Sequence, residues 1–123
     1  MPKAFVRLLS GLLWLALGVS AVQAHPQLKA SDPAADSTIL TSPAAIHLTF
    51  SLPVIAKFSG VRLVDVTGKE MSVGPAVTDP QDSKQLLCAV SAQLVPGDYS
   101  VEWHVVGVDT HRKTGSYKFR VKQ

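Results

Sequence analysis

His25 follows Val22-Gln23-Ala24, small residues at the two places a signal peptidase reads. Upstream lie a short positive segment with Lys3 and Arg7 and an apolar run from Leu8 to about Val22, the three-part form of a secretory signal peptide. A membrane anchor is the rival reading, but the run is only roughly fifteen residues, broken by Ser10, Gly11, Gly18 and Ser20, and a spanning helix needs about twenty. The sequence therefore predicts a cleaved segment, 1–24, and a mature domain, 25–123. Cutting after Ala24 leaves a free α-amine on a histidine. That amine and the imidazole Nδ1 of the same residue close a six-membered chelate ring on a metal ion, which no internal histidine can do.

A second group with metal-binding chemistry is Asp109-Thr110-His111. It falls in a loop between two strongly patterned segments, and loops on a rigid scaffold are where sites concentrate. If the backbone is extended there, the two side chains point the same way, roughly 6.5 Å apart. Alone the motif is weak, because an aspartate in a turn also serves to accept backbone amides. Combined with His25 it completes a set of three nitrogens and one oxygen. Such donors in a tetragonal arrangement suit Cu(II), with zinc as a competitor for the same imidazoles. Pro26 has no amide hydrogen to lose, so a metal here cannot be wrapped by deprotonated backbone amides. His47 and His104 sit on the outward faces of their strands and read as solvated positions, His104 less securely because its strand leads into the loop.

These groups need a scaffold. Removing Lys3 and Arg7 from the twelve basic residues leaves ten against nine acidic ones, a net charge near +1. Nothing in that balance points to a nucleic-acid footprint, which needs a clustered basic face. Arg112, Lys113, Lys118, Arg120 and Lys122 read as the wet side of a strand. The one cysteine, Cys88, cannot form an internal disulfide; it lies in an apolar run and reads as a buried thiol. Beyond Met1 there is only Met71, so a methionine-rich soft-metal site is absent.

After residue 25 no helical period is sustained, while short alternations recur between turn residues. Strands are predicted at 27–31, 45–50, 60–65, 70–73 (weaker) and 84–90. The clearest pattern is last: Tyr99, Val101, Trp103 and Val105 share a face, and after a loop Tyr117, Phe119 and Val121 do the same. This is an antiparallel hairpin with one wet side. Six or seven such strands predict an all-β domain, a β-sandwich or a small Greek-key barrel.

The opening His25-Pro26-Gln27-Leu28-Lys29-Ala30-Ser31-Asp32-Pro33-Ala34, the Leu48-Thr49-Phe50-Ser51 strand, Phe58-Ser59-Gly60-Val61, Pro96-Gly97-Asp98-Tyr99-Ser100-Val101-Glu102-Trp103, and Val108-Asp109-Thr110-His111 through Gly115-Ser116-Tyr117-Lys118-Phe119 together resemble the CopC family of periplasmic copper-binding proteins. The resemblance spans the whole mature chain. It implies a seven-stranded Greek-key β-barrel or sandwich, cupredoxin-like or immunoglobulin-like. It also implies one Cu(II) per chain, with His25 and His111 as ligands and Asp109 as a ligand or close partner. Many members place a glutamate ligand just after the Phe-Ser of the second strand; this chain has Leu52 there. Other members carry a methionine-rich Cu(I) site, which Met71 cannot supply. The implied protein is a periplasmic, monomeric copper binder, not an enzyme. It sequesters copper or hands it to an inner-membrane transporter of the CopD type. Two alternatives stay open: a small oxidative copper enzyme using the same terminal-histidine chelate, and a metal-free sandwich module for adhesion or assembly.

Overall fold

The computed structural model describes residues 25–122; the segment 1–24, expected to be cleaved, lies outside the described residues. Nine strands follow in order: β1 (Leu28–Asp32), β2 (Thr38–Ile39), β3 (Ala45–Phe50), β4 (Gly60–Asp65), β5 (Glu70–Met71), β6 (Val77–Asp79), β7 (Asp82–Ala89), β8 (Gly97–Val106) and β9 (Arg112–Val121). One 3-10 turn, Ala56–Phe58, precedes β4. No helix among the described residues is long and apolar enough to cross a membrane.

The strands form two sheets, ordered β1-β3-β7-β6 and β2-β9-β8-β4-β5. Of the barrel and sandwich alternatives, the open sandwich is the one adopted. Seven strands were implied; the count of nine includes β2 and β5, two-residue strands that extend the two edges of the larger sheet. β2 runs parallel to β9, pairing Thr38 with Arg120 and Ile39 with Val121. β6 is absent from the sequence reading, because three residues are too short to show an alternation.

Alternation decides which side chains meet between the sheets, since successive residues of a strand face opposite ways. Ile46, Leu48 and Phe50 of β3, Leu86 and Cys88 of β7, and Leu63 of β4 turn inward. From β8 come Tyr99, Val101, Trp103 and Val105, and from β9 Tyr117, Phe119 and Val121. No polar or charged residue among those described is buried with them. Phe50 meets Trp103 edge-on at 5.3 Å, and Tyr99 stacks on Phe119 at 5.7 Å. Each fully buried aliphatic or aromatic side chain contributes about 1.5–3 kcal/mol, an upper bound because the unfolded chain already hides some of it. That core holds a sandwich whose only cysteine is a buried free thiol.

The β8–β9 hairpin is the longest pairing, ten residue pairs from Gly97↔Val121 to Val106↔Arg112. Its length fixes where the loop after Val106 projects. β1 pairs antiparallel with β3, beginning at Leu28↔Phe50. Residues 25–27 are thereby delivered to the end of the sandwich where the hairpin turns.

Candidate metal centre

The hairpin turn is built by backbone bonds around Gly107. Its N–H donates to the His111 carbonyl at 3.1 Å, and the Thr110 N–H donates to the Gly107 carbonyl at 2.9 Å. Gly107 also bridges to Val54 of the neighbouring segment, and the Val108 N–H donates to the Pro53 carbonyl at 3.4 Å. Thr110 takes a left-handed conformation, φ +69°, which is uncommon for a β-branched residue. The Asp-x-His segment lies in the loop, as read from sequence, but it forms a turn rather than the extended backbone on which the spacing of roughly 6.5 Å depended. Its two side chains converge because the backbone doubles back between them.

Asp109 does two things at once. Its Oδ1 accepts the His111 backbone N–H at 3.2 Å, the turn-forming role that competed with metal binding in the sequence reading. Its Oδ2 lies 3.2 Å from His111 Nδ1 and 3.4 Å from His25 Nδ1. The two imidazoles meet edge-on, ring centroids 4.8 Å apart and planes at 66°. One potential donor atom from each of His25, Asp109 and His111 lies within 4.8 Å of the others, and this is the one such metal-capable group among the described residues. The carboxylate is the sheltered member: its side chain is 23 % exposed, against 51 % for His25 and 63 % for His111. Burial pushes the Asp109 carboxyl up. The His111 backbone N–H, the His111 ring and the charges of His111 and His25 outweigh that and hold it below the ordinary carboxylate value. An anionic oxygen facing two imidazoles, open to solvent, can accept a divalent cation of N/O preference.

The remaining predicted positions fall elsewhere. His47 is exposed, paired in register with Asp32 and Leu87. His104 lies on the outward side of β8 but is half-buried rather than solvated. It pairs with Gly60, and its ring lies down over that glycine, Cε1 only 3.0 Å from where a Cβ would stand. Burial, then the nearby Arg112 charge, lowers its pKa from the ordinary histidine value. Neither histidine belongs to the metal-capable group. Met71 packs against the core from β5. Cys88 is buried as expected, and burial raises its thiol pKa.

Three residues at this end have packing roles that the sequence did not show. Ser51 follows β3, and its Oγ accepts the Gln27 N–H at 2.8 Å while its own N–H donates to the Gln27 carbonyl at 2.8 Å. Pro26 is fully buried. Gly107 faces both halves of the site: a Cβ there would stand 2.6 Å from Asp109 Oδ1 and 3.0 Å from Pro26 Cδ. The glycine could have been suspected as a turn residue; its contact with Pro26 needed the fold.

With this geometry in view, known proteins are informative. The model of the CopC domain family matches residues 28–122. Copper resistance protein C of Pseudomonas syringae pv. tomato is 42% identical over 110 residues, covering 85% of this chain and 86% of its own. Copper resistance protein C of Escherichia coli is 39% identical over 121 residues, 94% of each chain. Protein YobA of Escherichia coli K12 is 39% identical over 111 residues, 90% of each. Among solved structures, CopC from Methylosinus trichosporium OB3b superposes with a TM-score of 0.75 at 27% identity, covering 80% of this chain and 94% of that one. PcoC from Escherichia coli, described as a methionine-rich copper resistance protein, gives 0.71 at 36% identity, covering 80% of this chain and all of its own.

Proposed function

The chain belongs to the CopC family, and from that premise we propose that it is a copper-resistance protein that binds one Cu(II) as cargo at the end of the sandwich. The ligands in this reading are the α-amine and Nδ1 of His25 once residues 1–24 are removed, an imidazole nitrogen of His111 and a carboxylate oxygen of Asp109. The observation that carries it is the convergence of His25 on the Asp109–His111 turn, from a position far away in sequence. Three nitrogens and one oxygen fit the N/O preference of Cu(II). Leu52 stands where many members carry a glutamate ligand, and Met71, the single methionine after Met1, cannot make the methionine-rich Cu(I) site of other members.

The protein works in the periplasm as a monomer. It sequesters the ion or delivers it to an inner-membrane transporter of the CopD type. The names of its relatives, copper resistance proteins, support binding rather than catalysis. A site this open suits exchange: the two imidazoles face solvent while the carboxylate behind them stays sheltered. Protons compete for the amine and the imidazoles, so binding weakens as pH falls from about 7 towards about 5.

Electron paramagnetic resonance of the exported protein with one equivalent of Cu(II) tests this reading. An axial signal with splitting from about three nitrogens is expected from the set described. A variant with one extra residue before His25 blocks the chelate and leaves the sandwich intact. Equal copper affinity in that variant rules out the amine as a ligand.

A further inference from the structure

Chain termini ordinarily fray unless tied down, yet His25 lies against the Asp109–His111 turn. What holds it is visible one and two residues further on. The Pro26 ring is fully buried, and burying a proline strands no backbone N–H, because it has none. Its Cδ and Cγ rest against the bare Cα of Gly107, 3.0 and 3.4 Å from where a side chain would begin. Gln27 is then fixed to Ser51 by two hydrogen bonds of 2.8 Å, one through the serine hydroxyl and one through its backbone N–H. Gly107 contacts the other half of the site as well, leaving room for Asp109 Oδ1 to turn back on the loop.

We infer that Ser51, Pro26 and Gly107 are positioning residues: a clamp that presets the mature N-terminus at the metal position before an ion arrives. The inference rests on the reading of His25 as a copper ligand, and goes beyond it in assigning affinity to residues that touch no metal. A free arm must be ordered at the moment of binding, at a cost in affinity; a clamped arm has already been ordered by folding. Supporting groups behind metal ligands typically account for 10–100-fold in affinity.

The test uses the exported, processed protein and two variants, Ser51→Ala and Gly107→Ala. Copper affinity is read by competition with a chromophoric chelator, and exchange of the Gln27 amide is followed in the metal-free protein. In the wild type that amide is slow to exchange. In Ser51→Ala it becomes fast, Cu(II) affinity falls at least about tenfold, and Ser51→Thr, which keeps the hydroxyl, restores both. The same Ser51→Ala change made in the chain with one extra residue before His25 produces no further loss, because the arm no longer contributes a chelate. Gly107→Ala gives a loss of similar size by pressing on Pro26 and Asp109. Equal losses from Ser51→Ala in both backgrounds, or none in either, overturn the clamp. A wild type that protects Gln27 but binds no Cu(II) overturns the functional reading instead, and the two failures are separable.

Discussion

Gly115 on β9 pairs with Trp103 on β8, and replacing it with alanine tests whether the core is as tightly filled as the geometry states. A Cβ at 115 would stand 2.3 Å from Trp103 Cζ2, 2.6 Å from Cε2 and 3.0 Å from Cη2. Carbon atoms settle at about 3.5–4.0 Å, so the indole or the strand must move by roughly an ångström. The indole has nowhere to go: it is 6% exposed, and the Phe50 ring holds it edge-on at 5.3 Å. Overpacking a filled core costs about 1–3 kcal/mol. For a domain of about 100 residues each kcal/mol moves Tm by about 4–8 °C, so Gly115→Ala should lose at least that much. Thermal unfolding followed by circular dichroism gives the number. Emission gives an independent probe, because Trp103 and Trp14 are the only tryptophans and Trp14 lies in the segment 1–24 that is proposed to be cleaved. Gly74→Ala is the control: the nearest atom to its added Cβ is an ordinary 3.6 Å away, so stability there should hold or rise slightly. A Gly115→Ala protein as stable as the wild type would refute the account of Trp103 packing over a bare backbone.

Other outcomes follow from the same contacts. Asp109→Asn removes the charge that faces both imidazoles at 3.2 and 3.4 Å; Cu(II) affinity in competition titrations should fall at least about tenfold, with Tm of the metal-free protein little changed. The Cys88 thiol should resist a thiol-reactive dye in the native state and react fully in denaturant, because burial both shields it and raises its pKa. Burial raises the Tyr117 hydroxyl to about 12; Ser31 beside it offsets part of that rise, and the Asp32 charge adds a smaller push upward. The folded state therefore favours the protonated phenol. Its contribution to stability is complete below the ordinary value of 10 and is lost as pH rises through about 12. Ultraviolet titration of tyrosinate should show both Tyr99, also raised by burial, and Tyr117 ionising late, with unfolding promoted over the same range. Asp98 is held below its ordinary carboxylate value chiefly by the hydrogen bond from Arg120. The support it gives is present at neutral pH and is lost on acidification through that lowered value. Because the pair is exposed, added salt should weaken the effect in acid-unfolding curves.

Strands whose side chains alternate without interruption were legible residue by residue. β3 at Ala45–Phe50 and β4 at Gly60–Asp65 have the bounds their patterns predicted, and the inward set on β8 is Tyr99, Val101, Trp103 and Val105 as read from sequence. Val77-Thr78-Asp79 and Thr38-Ile39 were not legible, because their strand character comes from the partner they pair with. The candidate donor residues His25, Asp109 and His111 were named from residue type and position, and the structure brings them together. Their support was hidden. Ser51 looks like any serine after a strand until β1 is laid beside β3, and Gly107 looks like a turn residue until Pro26 is seen against it. His104 shows the same limit: alternation told its side of the sheet, but only the register opposite Gly60 tells that its ring is covered.

The candidate donors come from opposite ends of the described chain: residue 25 ahead of β1, and residues 109 and 111 just before β9. An ion shared between them is a cross-link spanning nearly the whole domain, in a protein with one cysteine and hence no internal disulfide to play that part. On the proposed ligand set, an unravelled polypeptide keeps the amine-imidazole pair but scatters the rest, so the ion would favour the native state. At a free concentration one hundred times the dissociation constant that preference amounts to about 2.7 kcal/mol. On the proposed reading, metal binding and resistance to denaturation are one equilibrium, and releasing the ion also releases the staple.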